Sequence, residues 1–230
     1  MSINENIAKV KQQLKQAAIQ SGRTPEDIRL IAVSKTKPAE MIQEALATGQ
    51  TAFGENRIQE ALGKIEGLSS NTQIEWHLIG HLQKNKVKFC PGNFQWIHSI
   101  DSIELAEKLE ARCAFSAKKI NVLIQVNLSR EISKSGLQNW EETLPLAEKL
   151  LAGKWLKFRG LMIIPPPDLG ELATRKIYEK TRKWRDQLQQ NYGQPDINEL
   201  SMGMTADYLW AIQEGSTMIR VGTAIFGRRN

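Results

Sequence analysis

Eight short apolar runs, each followed by a stretch with helical spacing, constrain this chain more than any other feature. The runs read as strands over 29–34, 51–54, 75–80, 95–100, 120–127, 157–164, 197–202 and 217–222. Helical patterns occupy Ile3 to Ser21 and then 38–48, 56–67, 83–89, 102–116, 138–152, 168–191 and 205–214. Strands alternating with amphipathic helices imply parallel pairing through right-handed crossovers, and eight is the number that closes a barrel. A (β/α)8 TIM barrel typically spans ~250 residues. A chain of 230 residues therefore suits one domain over 1–230, with an extra N-terminal helix and short loops. A doubly wound open sheet would carry a glycine-rich turn after its first strand; that turn here reads SKTKP, with no glycine.

Within 102–116 the expected apolar face is Ile103, Ala106, Leu109 and Ala111, with Glu104, Lys108 and Glu110 opposite. No apolar run approaches the ~18 residues of a membrane span. The N-terminus spaces its apolar residues helically among charges, unlike a signal peptide. These features predict a cytoplasmic protein with no membrane partner. Cys90 and Cys113 are in neither a CxxC nor a metal-ligand spacing and read as inert thiols. The net charge of +6 raises nucleic-acid binding as a minority reading. Acidic residues are interleaved along most of the chain, however, and a phosphate-bearing small ligand also favours excess positive charge.

In such a barrel, chemistry belongs to the C-terminal ends of the strands. There the chain places Lys35, then Gly54, Glu55 and Asn56, then His77, His81 and His98, then Asn127 and Pro165. Ser201, Met202 and Gly203 follow, and Arg220, Gly222 and Thr223 close the series. LSMGMTADY turns from strand seven into a helix beginning near Thr205, and MIRVGTAIFG does the same after strand eight. Two strand-to-helix turns with free N–H groups, set opposite a lysine, suit a phosphate. Arg220 interrupts an apolar strand and must have a partner, either a carboxylate in a salt bridge or a ligand in the barrel mouth. Lys35 continues the inward alternation of Ile31 and Val33. An inward amine beside a phosphate site suits a Schiff base to a phosphorylated aldehyde, and pyridoxal 5′-phosphate is such a molecule. His77 and His81 have i, i+4 spacing but span a strand and its exit, so His77 is expected inside the barrel and no metal site is expected.

AVSKTKP, FGENRIQE, EWHLIGHLQKNK, IQVNLSREISKSGL, GLMIIP, LSMGMTADY and GSTMIRVGTAIFG together resemble the pyridoxal-phosphate homeostasis protein family, from about residue 28 to residue 228. The resemblance implies a single barrel similar to the N-terminal domain of alanine racemase. It implies a Schiff-base lysine at Lys35, a pyridine-nitrogen contact from Arg220, phosphate contacts from Ser201, Gly203, Gly222 and Thr223, and Asn56 on the ligand side. Arg57 departs from the tyrosine common in the family. The resemblance further implies cofactor binding in vitamin B6 and amino/keto acid balance, without established catalysis.

The chain holds three tyrosines, Tyr178, Tyr192 and Tyr208. None is expected to serve as a racemase-like base. The expected protein is thus a monomeric, non-catalytic cofactor holder, with cofactor-free pyridoxal-phosphate enzymes as candidate recipients and no nucleic-acid partner. Lys134 is a candidate second amine for the aldehyde. A racemase-like enzyme is the alternative, and a cofactor-free class I aldolase-like enzyme a third reading.

Overall fold

The structure, a computed structural model, describes residues 2–129, 131 and 135–228. Eight parallel strands, β1 (Arg29–Val33), β2 (Ala52–Glu55), β3 (Glu75–Leu78), β4 (Trp96–Ile100), β5 (Ile120–Val126), β6 (Leu156–Ile163), β7 (Glu199–Met204) and β8 (Met218–Val221), form a closed barrel in sequence order. β8 returns to pair with β1, with Ile31 opposite Arg220 and Ala32 opposite Val221. The (β/α)8 expectation is met, and each strand lies within two residues of its expected bounds.

Around the barrel run α1 (Ile3–Gln20), α2 (Ala39–Leu46), α3 (Ile58–Gly67), α4 (Ile103–Ser116), α5 (Trp140–Ala152), α6 (Gly170–Tyr192), α7 (Tyr208–Gln213) and α8 (Thr223–Phe226). α1 precedes the first strand and opens with a capping box, in which Ser2 Oγ accepts from Glu5 N–H and Glu5 accepts from Ser2 N–H. Between β3 and β4 the connection Lys84–Phe89 is a 3-10 helix, not the α-helix expected over 83–89. Only Val87 of that segment is buried, so no apolar stripe holds a longer helix against the wall. On α4 the buried face is Leu105, Ala106, Leu109 and Cys113, whereas Ile103 and Ala111 are exposed. Counting from Leu105 rather than Ile103 restores the helical period; the sequence reading started the stripe two residues early.

The alternation of each strand divides the core in two. Outward residues such as Leu30, Ala32, Phe53 and Val122 pack under the helices. Ile31, Ala52, Trp96, Leu123, Met162 and Met218 fill the barrel interior. Cys90 and Cys113 are buried and free, and burial pushes both thiols up to about 12. No described helix is long and apolar enough to cross a membrane.

Candidate functional site at the mouth of the barrel

The interior alternation that carries apolar residues at the lower end carries polar ones further up. His77 of β3 and His98 of β4 are fully buried, as is Ser201 of β7, and Arg220 of β8 is 3% exposed. His77 Nδ1 lies 2.9 Å from His98 Nε2, and His98 Nδ1 lies 2.8 Å from Ser201 Oγ. Arg220 donates through NH1 to Ser201 Oγ at 2.5 Å and Ser201 O at 2.6 Å, and through NH2 to Ile163 O at 2.8 Å.

Arginine only donates, so the Ser201 hydroxyl accepts from it, and the Glu75 carboxylate beside His77 Nε2 favours the order in which Ser201 gives its own hydrogen to His98 Nδ1. His98 then carries its hydrogen on Nε2 and donates to His77 Nδ1. His77 keeps its hydrogen on Nε2, 3.1 Å from Glu75 Oε1 but off the line of a good hydrogen bond. Glu75 is held in turn by Arg29 at 2.9 Å. Burial lowers the pKa of His77 and, much more strongly, of His98, where repulsion between the two imidazolium forms and from Arg220 adds to the effect. Both rings are therefore neutral. No carboxylate pairs with Arg220 among the described residues; its partners are two carbonyls and a hydroxyl. Burial lowers its pKa too, yet a guanidinium does not surrender its proton. The salt bridge that the sequence left open is not what the structure shows.

Three of the five N–H groups of Arg220 are thus donated to protein. The turns above it bring the remaining candidates together. Gly203 has φ +95, and a Cβ there would stand 2.6 Å from Ala211 Cβ, so only glycine lets β7 turn this closely into α7. That helix begins at Tyr208 rather than Thr205, because Asp207 Oδ1 accepts from Met204 N–H at 2.6 Å and closes a turn first. A Cβ on Gly222 would meet Val33 O at 3.2 Å. Barrel closure thus sets the second glycine turn beside the strand that leads to Lys35, not opposite it as the sequence suggested. Thr223 opens α8, and the first N–H groups of a helix lack intrahelical acceptors.

Lys35 lies half-buried two residues beyond β1. Asn56 follows β2, and its Oδ1 is buried without a hydrogen-bond partner. It faces a cavity of about 220 Å³ shared with Gly80, His81, Gln125, Asn127 and Ile164. Asn127 ties down the next loop, donating to Glu131 O at 2.9 Å. Lys134 lies outside the described residues. Arg57 is exposed at the start of α3. His81 is exposed and apart from the buried His77; among the described residues no three His, Cys, Asp or Glu side chains cluster as metal ligands.

Ser201 was grouped by sequence with the phosphate turns, but its hydroxyl is spent beneath Arg220. His98 had no assigned role in the sequence, although its signal was present: it falls on the same inward alternation as Trp96, in a strand otherwise apolar but for Ser99.

The chain is similar over its whole length to known proteins. The family described as alanine racemase, N-terminal domain, matches residues 2–230. The pyridoxal phosphate homeostasis protein of Pasteurella multocida is 44% identical over 100% of this chain and 99% of its own length. The structure of PipY from Synechococcus elongatus PCC7942 with PLP bound superposes with a TM-score of 0.88 at 37% identity, covering 98% of this chain and 100% of that one. An alanine racemase from Clostridium difficile shares the fold at 15% identity and a TM-score of 0.78, and this chain spans 57% of it.

Proposed function

Because this chain belongs to the family of pyridoxal phosphate homeostasis proteins, whose barrel is that of the alanine racemase N-terminal domain, we propose that it binds pyridoxal 5′-phosphate at the barrel mouth. Lys35 holds the cofactor as a Schiff base, in the service of vitamin B6 and amino/keto acid homeostasis rather than substrate turnover. The observation that carries this reading is Arg220, a buried cation whose hydrogen-bond partners among the described residues are neutral, set beneath two glycine turns. A ring nitrogen accepting from its remaining N–H groups and a phosphate in the turns would complete the site. The unpartnered Asn56 Oδ1 suits a ligand donor on the same side.

When bound, the cofactor supplies an aldehyde for an amine to condense with and a ring able to draw electrons from an attached carbon. Arg220 limits the second property. Its remaining N–H groups would orient a ring nitrogen by hydrogen bonding without protonating it, and the ring would stay a weak electron sink. The neutral His98 and Ser201 fix the guanidinium from below. Gly203, Gly222 and Thr223 offer backbone N–H and hydroxyl donors to the phosphate. Two of the tyrosines are committed elsewhere, Tyr208 donating to Gln13 on α1 at 2.7 Å and Tyr192 approaching Glu148 at 3.3 Å, while the buried Tyr178 hydroxyl lies near Asp207, Gly203 and Arg220 with its pKa pushed upward by burial, which makes it a poor base. That arrangement supports holding over turnover. The proposed protein is a single-domain cytoplasmic monomer that passes its small-molecule cargo to cofactor-free enzymes.

Protein purified with cofactor is expected to be yellow, and borohydride followed by peptide mapping should label Lys35; Lys35→Ala should lose the label. A label found chiefly on another lysine overturns the assignment. Incubation with L-amino acids in heavy water tests the racemase-like alternative: sustained α-proton exchange well above that of free cofactor would favour an enzyme.

A further inference from the structure

Behind the barrel wall at Lys35, three charged side chains meet where the cofactor would not reach them. Alternation turns Ser34 and Glu55 outward from β1 and β2, toward α3, and α3 presents Lys64 to them. Lys64 is 8% exposed and Glu55 fully buried. The Lys64 ammonium has three N–H groups and finds three acceptors: Ser34 O at 2.8 Å, Glu55 Oε1 at 2.8 Å and Glu60 Oε1 at 2.6 Å. Ser34 Oγ also donates to Glu55 Oε1 at 2.6 Å, and Thr36 N–H donates to Glu60 Oε1.

The acceptors lead to particular places. Ser34 O is the carbonyl just before Lys35, and Glu60 holds the amide just after it. Thr36 adopts φ +63, a left-handed conformation that a β-branched residue avoids unless its surroundings impose it. A buried lysine with two carboxylates costs desolvation that a core leucine would not. Burial also pushes the Glu55 carboxyl upward in spite of Lys64, and its Oε2 is buried without a partner. The cluster is an expensive way to build a wall, and an effective way to hold one turn.

We propose that Lys64, through Ser34 and Glu60, fixes the backbone on both sides of Lys35 and so positions the Lys35 amine for the aldehyde. The inference rests on the cofactor reading above. Lys64 and Glu60 are positioning residues; neither touches the cofactor. Release of strain of the size usual for such a residue would let the turn relax and lower the population of the competent geometry by roughly tenfold.

The test uses the full chain as wild type and as Lys64→Met, Glu60→Ala and Glu60→Gln. Glu60 is partly exposed, so its variants keep the question answerable if Lys64→Met does not fold. Two quantities are measured: hydrogen exchange at the Thr36 and Lys37 amides without cofactor, and the fraction of Lys35 trapped by borohydride at subsaturating pyridoxal 5′-phosphate. Glu60→Ala should lose protection at Thr36 and trap roughly tenfold less, and Glu60→Gln, which keeps an acceptor, should restore most of both. Wild-type protection in Glu60→Ala, or unchanged trapping in a folded Glu60→Ala, overturns the proposal. If the wild type labels a different lysine, the cofactor reading fails while the exchange arm still decides whether the clamp exists.

Discussion

Replacing Ser201 with alanine separates two roles that the sequence cannot tell apart. If the hydroxyl contacts phosphate, the variant should bind cofactor poorly yet fold as well as wild type. The geometry requires the reverse. The hydroxyl accepts from Arg220 at 2.5 Å and donates to His98 at 2.8 Å, inside a fully buried residue. Deletion removes a hydrogen bond from a charged donor and leaves His98 Nδ1 without a partner away from water. Orphaning a buried polar group costs about 1–3 kcal/mol, and a lost bond to a charged group about 1.5–3 kcal/mol. Arg220 NH1 retains Ser201 O at 2.6 Å, so the lower part of the combined range applies, roughly 2.5–4 kcal/mol. For a protein of this size that shifts the thermal midpoint by roughly 5–15 °C. The assay is urea unfolding of the cofactor-free protein at pH 7, with Thr223→Ala as the contrast, because Thr223 is exposed and its loss should move stability by no more than about 0.5 kcal/mol. If Ser201→Ala unfolds within about 0.5 kcal/mol of wild type, the hydroxyl does not bridge Arg220 and His98 as the geometry requires.

The neutral imidazoles also make stability depend on pH. His77 and His98 titrate below their unfolded value of ~6.5, so between the folded and unfolded values the unfolded chain binds more protons. Their contribution is complete above pH ~6.5 and is lost as pH falls toward the folded values, by up to about 1.2 kcal/mol per ring between pH 7 and 5.5. Cofactor-free His98→Gln, titrated with urea at both pH values, should show a smaller loss than wild type by about that amount; parallel losses would contradict it. Gly203→Ala adds a Cβ 2.6 Å from Ala211 at φ +95. It should destabilise by roughly 2–4 kcal/mol through strain and overpacking and weaken cofactor retention on dialysis; wild-type behaviour in both would show that the turn does not need glycine.

Local pattern carried most of the fold. The spacing of apolar residues located all eight strands, because a strand buried on both faces is apolar almost throughout its length and needs no distant partner to be recognised. It failed where packing, rather than period, decided: the stripe on α4, the 3-10 turn at Lys84–Phe89 and the start of α7. Lys35 and Arg220 stood out because a cation in or just beyond an apolar strand demands an explanation. Lys64 did not, since a lysine four residues after Glu60 on a helix reads as an ordinary surface pair.

What the sequence determined by itself was the alternation, and with it which residues face the barrel axis. Only the tertiary structure decided who meets whom: that Gly222 lies against Val33, that Ser201 serves Arg220, and that Lys64 reaches Ser34 directly and Thr36 through Glu60. Periodicity is a property of adjacent residues, whereas these contacts join positions brought together by the return of β8 to β1 and by the packing of helices on the wall.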